Sequence, residues 1–144
     1  MTSIVRIGTC IFFLLASASS LADQPGRNNI DASVWLLVSG GSWNKSDREY
    51  GNFRVIVRNE GWEHTRSAVY LQWLWSDDSK QRVVVVKEVP VSELNDGGWR
   101  NVMHVERKDN TFLISYTTRE REDAKKSAEL RPGLPGTYRL VLTK

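Results

Sequence analysis

The feature that most constrains this chain is its rhythm. From residue 34 onward, short runs rich in Val, Leu, Ile and aromatic residues alternate with clusters of turn-forming residues, and no stretch of helical length carries a sustained apolar face. Phe53 to Arg58 is the clearest run: Phe53, Val55 and Val57 fall on one side, Arg54 and Arg58 on the other, and Asn59-Glu60-Gly61 breaks the pattern. Val34 to Val38 is a similar run, closed by Gly40-Gly41. Val69, Leu71, Trp73 and Trp75 alternate with Tyr70, Gln72 and Leu74 as far as Ser76-Asp77-Asp78-Ser79, and Val83 to Val89 runs into Pro90. A period of two gives each strand one face to bury.

Two hairpins follow from pairing these runs. Trp99 to Glu106 and Thr111 to Thr118, joined at Arg107-Lys108-Asp109-Asn110, bring large apolar residues together when Val105 faces Phe112, Met103 faces Ile114 and Asn101 faces Tyr116. The preceding pair sets Leu71 against Val85 and Trp73 against Val83. Arg119 to Leu130 is charge-dense, and Thr117 with Glu120 fits a capping box, so this segment reads as a short surface helix or ordered loop. Arg131-Pro132-Gly133-Leu134-Pro135-Gly136 then redirects the chain into a last strand, Thr137 to Leu142, with Tyr138, Leu140 and Leu142 facing inward.

Strands at this spacing predict an all-β fold: an antiparallel β-sandwich of about seven to eight strands, with a small β-barrel as the alternative. The closing Pro135-Gly136-Thr137-Tyr138-Arg139-Leu140-Val141-Leu142 resembles the last-strand pattern of immunoglobulin-like bacterial domains. The resemblance spans eight of 144 residues, implies an immunoglobulin-like sandwich, and carries no function.

The N-terminus has the three parts of a secretory signal: a start with Arg6 as its one charge, an apolar stretch from Ile7 to Ala18, and the small-x-small triplet Ser20-Leu21-Ala22. The apolar stretch is nearer 12 residues than the roughly 20 needed to span a bilayer, so cleavage after Ala22 is expected, with no stable membrane anchor left behind. Cys10 stands at the start of the apolar stretch, where lipidation would not use it. The expected organisation is a signal peptide at 1–22, a flexible leader at 23–32 and one β domain at 33–144.

Removing 22 of 144 residues leaves 122, enough for one core. Removing Arg6 leaves 19 basic against 17 acidic residues, a net charge of +2, too balanced for a nucleic-acid surface. The mature chain has no cysteine, which points to a bacterial periplasm, or secretion, over a disulfide-stapled extracellular domain. The Asn44-Lys45-Ser46 sequon has meaning only in a eukaryotic secretory route.

Catalysis finds little purchase. There is no Gly-x-Ser-x-Gly elbow and no mature thiol, and Ser39-Gly40-Gly41-Ser42 reads as a turn. His64 and His104, with Glu63 and Glu106 near them, lack the spacing that pre-forms a metal pair, and His104 falls on the outer face of its strand. Asp77-Asp78 and Glu120, Glu122 and Asp123 are carboxylates in solvated, charge-mixed segments, with no apolar neighbour to separate their pKa values. No catalytic residue, metal or cofactor is expected.

Tryptophan is the unusual residue, six in a small domain, and Trp43, Trp62 and Trp99 closely follow turn glycines. Such residues either cap the ends of the core or form an exposed aromatic surface. On the second reading the candidate binding residues are Trp43, Lys45, Arg48, Tyr50, Trp62, Arg66, Trp99 and Arg100. The expectation is a periplasmic, non-enzymatic binding protein, an inhibitor or immunity-type factor whose partner is another envelope protein. The alternatives are a saccharide- or peptidoglycan-binding module, with cell-wall glycan as the ligand, or a structural envelope protein.

Overall fold

A computed structural model describes residues 31–143 apart from 62–64, 78, 79, 97 and 99, and apart from the side chains of 122 and 123. The expected signal peptide and most of the leader lie outside the described residues. The chain forms β1 (Val34–Ser46), β2 (Glu49–Glu60), β3 (Arg66–Asp77), β4 (Arg82–Pro90), a single helical turn α1 (Ser92–Asn95), β5 (Arg100–Lys108), β6 (Thr111–Thr118), β7 (Arg121–Pro132) and β8 (Tyr138–Thr143). The strands make two antiparallel four-stranded sheets, ordered β1-β2-β3-β4 and β5-β6-β7-β8, with α1 carrying the chain from one to the other.

The two sheets face each other in a sandwich-like arrangement over one core. The inward faces of β2 and β3 supply Phe53, Val55, Val57, Val69, Leu71 and Trp73. The inward faces of β5, β6 and β7 supply Val102, Val105, Phe112, Ile114, Tyr116, Ala128 and Leu130. Phe53 meets Trp73 edge to face with ring centroids 6.3 Å apart, a favoured aromatic geometry. Each sheet is a meander of consecutive strands, whereas an immunoglobulin sandwich exchanges strands between its sheets. The eight-residue pattern near the C-terminus therefore marks a local strand start and not that topology.

Several sequence expectations change. β1 does not stop at Gly40-Gly41 but bulges there and continues to Ser46. Gly41 has φ +69°, open to glycine, and the β5–β6 hairpin packs directly above, with Arg107 against Gly40 and Asn110 against Gly41. The β5–β6 hairpin exists with β6 at its expected bounds, but β5 runs further toward the turn, to Lys108, and the turn shrinks to Asp109-Asn110 with Asp109 at φ +55°. Val105 consequently faces Ile114, and Arg107 faces Phe112. A bulge between Val102 and His104 turns Met103 out to solvent and puts Val102 in the core.

In the β3–β4 pair, Asp77 faces Arg82, and an irregularity between Trp73 and Leu74 then shifts the register by one residue, so Leu71 faces Val89 and Trp73 faces Lys87. Val83 and Val85 are exposed instead of packing on them. Arg119 to Leu130 is neither helix nor loop: β7 lies between β6 and β8, with Ala128 and Leu130 buried, and Thr117 sits buried inside β6 instead of capping a helix. The pairing partners on both sides overrode the local charge pattern. Tyr138 and Leu140 pack against the core as expected, but Leu142 overhangs it and is 49% exposed.

Candidate functional site

The eight candidate binding residues do not form one surface. Lys45, Arg48 and Tyr50 are exposed at the tip of the β1–β2 hairpin, with Lys45 Nζ 2.7 Å from Glu49 Oε2. Arg66 begins β3 and Arg100 begins β5, at the other end of the sandwich. Tyr50 and Glu60 are ten residues apart on β2, on the order of 30 Å at strand rise. Trp62 and Trp99 lie outside the described residues.

Trp43 is a core residue. It pairs across β1–β2 with Gly51, only 6% of it is exposed, and its indole N–H donates to the Leu74 carbonyl at 3.2 Å. Gly51 is what permits this: a Cβ there would collide with the Leu74 carbonyl and come within 3.0 Å of the Trp43 indole nitrogen. The aromatic surface expected around Trp43 is therefore not available. Trp73 is likewise buried, donating to the Gly133 carbonyl at 2.9 Å, and Trp75 packs partly against the core. The exposed tryptophan among those described is Trp35, at 43%. The bulge beside it, between Val34 and Leu36, is not readable from the sequence.

A cleft of about 440 Å³ opens at the end of the sandwich that holds Arg66, bounded by the end of β2, the start of β3 and α1, with Glu60, Tyr70, Asn95 and Asp96 among its lining. One carboxylate organises its wall. Glu60 Oε2 is 3.3 Å from Arg66 Nη2, and Glu60 Oε1 accepts from the Tyr70 hydroxyl at 3.2 Å. Arg58 stacks over the Tyr70 ring at 4.7 Å and reaches Glu88 at 3.7 Å. Burial, and next the hydrogen bond to Glu60, raise the Tyr70 phenol above its ordinary value, so Tyr70 stays a donor through the neutral range.

The floor of this cleft is fixed from α1. The Asn95 side chain caps Val69 on both sides, accepting from its N–H at 2.8 Å and donating to its carbonyl at 3.0 Å. Arg100 is half-buried, lies over Tyr116 at 5.5 Å and donates to the Glu93 carbonyl, so it ties α1 to the second sheet. Sequence reasoning missed Glu60, Tyr70 and Asn95. The sequence pattern puts Tyr70 on the alternate face of its strand and Glu60 in the break after Arg58, and their pairing needs the β2–β3 register that extends β2 and sets Glu60 opposite Arg66.

Among the described residues, no three His, Cys, Asp or Glu side chains converge to hold a metal ion. His104 is exposed on the outer face of the second sheet, and His64 lies outside the described residues. The cleft wall can donate through Arg66 and accept through Glu60 and Asp96 toward a partner's polar groups. Comparison with protein-family models, curated proteins and solved structures finds no match.

Proposed function

We propose that this chain is an exported, non-enzymatic binding protein whose partner is another envelope protein, acting as an inhibitor or immunity-type factor through the Arg66 end of the sandwich. The observation that carries the reading is the Glu60–Arg66–Tyr70 cluster at the rim of an open cleft, held rigidly by Asn95 and α1. Arginine and tyrosine on a rigid support are the residue types that dominate protein-binding energetics. The signal-like N-terminus and the cysteine-free remainder support export to a periplasm.

The test compares the purified protein with Arg66→Glu and Glu60→Lys variants, used as bait against envelope extracts, with thermal unfolding as the fold control. A protein retained by the parent should be lost from both variants at unchanged melting temperature. Retention unchanged in both, or recovery in the pellet with purified cell wall, would refute the reading.

A further inference from the structure

Each sheet ends in two strands with one side unpaired: β1 and β4 in the first sheet, β5 and β8 in the second. Such an edge presents rows of backbone N–H and C=O groups that another strand can join, and proteins blunt it with bulges, charges or proline. β1, β4 and β5 are blunted in this way. β1 breaks register at three places along its length. β4 carries an irregularity opposite Trp73 and Leu74, followed by Lys87, Glu88 and Pro90. β5 bulges between Val102 and His104 and is charged at Arg100, Glu106, Arg107 and Lys108. β8 has none of these devices beyond the single charge of Arg139, and its register with β7 is unbroken from Tyr138 to Thr143.

The ladder shows which groups β8 leaves free. The Gly133 N–H donates to the Thr137 carbonyl at 2.9 Å, which sets the phase: hydrogen-bonded pairs with β7 recur at every second residue, at Arg139, Val141 and Thr143. Pro132, which has no N–H to give, faces Tyr138 at one of the intervening positions, in keeping with that phase. The N–H and C=O groups of Tyr138, Leu140 and Leu142 therefore point away from β7, and no other backbone group among the described residues bonds to them. The same three side chains face inward. Tyr138 and Leu140 pack against the core, while Leu142, paired with the buried Ala128, overhangs it at 49% exposed. Val141, on the outward face, is 36% exposed.

We infer that β8 pairs antiparallel with β8 of a second copy of this chain, about a twofold axis at Leu140. The strand is complementary to itself in this register. Tyr138 faces the second copy's Leu142 and Leu140 faces Leu140, so about six backbone hydrogen bonds form, all from groups already aimed outward. Each overhanging Leu142 lands beside a tyrosine ring, and each Val141 beside the aliphatic stem of the second copy's Arg139, so the exposed apolar residues of β8 gain cover. The two Arg139 side chains do not face each other. A one-residue slip would set inward side chains opposite outward ones. A two-residue slip would leave Tyr138 or Leu142 without an opposite strand residue and forfeit hydrogen bonds. The same patch serves on both copies, so the junction closes as a dimer and joins the two second sheets into one. With a strand of six residues on each side the interface is small, and the dimer is accordingly weak.

Sedimentation velocity of the purified protein, at concentrations up to about 1 mM, tests this. The expected result is a reversible monomer–dimer equilibrium. Val141→Lys changes the outward face and sets like charges opposite each other at both ends of the junction. It should raise the dissociation constant at least about tenfold at unchanged melting temperature. Adding Arg139→Glu makes those facing charges opposite and should restore the dimer. Should Val141→Lys unfold, Leu142→Lys, at an exposed position of the same strand, places a charge on the edge and should weaken the dimer to a similar degree. The inference is overturned by a parent that stays monomeric throughout, by a dimer that neither lysine substitution weakens, or by a loss in Val141→Lys that Arg139→Glu does not reverse.

Discussion

At the scale of single residues, the position of Trp43 depends on a glycine eight residues away. Gly51 lets the Leu74 carbonyl and the Trp43 indole nitrogen approach over β2, and the ring then joins Phe53 and Trp73 in the core. Trp43→Ala removes a large buried side chain and leaves a cavity beside an orphaned carbonyl. It should therefore destabilise by about 3–5 kcal/mol, measured by urea unfolding. Trp43→Phe retains part of the ring and should cost less, and a loss under about 1 kcal/mol for Trp43→Ala would contradict the core assignment. From the sequence, core cap and exposed anchor stand as alternatives for this residue. A tryptophan after a turn glycine satisfies both patterns, and only the β1 bulges, which carry the strand past Gly41 to pair with Gly51, separate them.

Among the elements, α1 is the least legible, yet it is bonded to β3, β5 and β8. Ser92-Glu93-Leu94-Asn95 is too short for a periodic signal, yet Val91 and Leu94 are buried and Asn95 holds Val69. Its other anchor comes from β8: the Tyr138 hydroxyl accepts from the Ser92 N–H at 3.0 Å and donates to Glu93 Oε2 at 2.7 Å. Tyrosine at a strand start was readable from the sequence, but its partner 45 residues earlier was not. The strands themselves were readable from alternation or from valine runs, and most place one face in the core, although β4 leaves Val83, Val85 and Val86 exposed. The exception was β7, whose charges follow from pairing on both sides with one face in water.

Burial, and then the Glu93 hydrogen bond, raise the Tyr138 phenol above its ordinary value near 10. The folded chain therefore keeps this proton at a pH where the unfolded chain has released it. The contribution to stability is complete below pH ~10 and is lost as pH rises from there through the higher folded value. Tyr138→Phe should lower stability by about 1 kcal/mol at neutral pH. The gap to the parent should narrow in melting experiments above pH ~10. A gap independent of pH would mean the hydroxyl is not held as described.

For the whole molecule, the question is what locks two meanders that share no strand pairing. Besides the common core, named polar ties cross between them. The Val102 N–H donates to Ser67 Oγ at 3.0 Å, and the Trp73 indole donates to the Gly133 carbonyl. Asn110 accepts from the Ser42 N–H at 3.0 Å and donates to the Ser42 carbonyl at 3.3 Å. Ser67 is buried, so Ser67→Ala leaves an unpaired amide and should cost about 1–3 kcal/mol. Asn110→Ala, at an exposed tie, should cost less, about 0.5–1.5 kcal/mol. The two ties use different strands and share no partner, so the double variant should equal the sum of the singles within about 0.5 kcal/mol. Because one core spans both sheets, all three variants should still unfold in a single transition, with calorimetric and van't Hoff enthalpies equal. A second transition appearing in Ser67→Ala or in the double variant would mean that each meander is stable alone, and that the core contacts between the sheets are weaker than their burial implies.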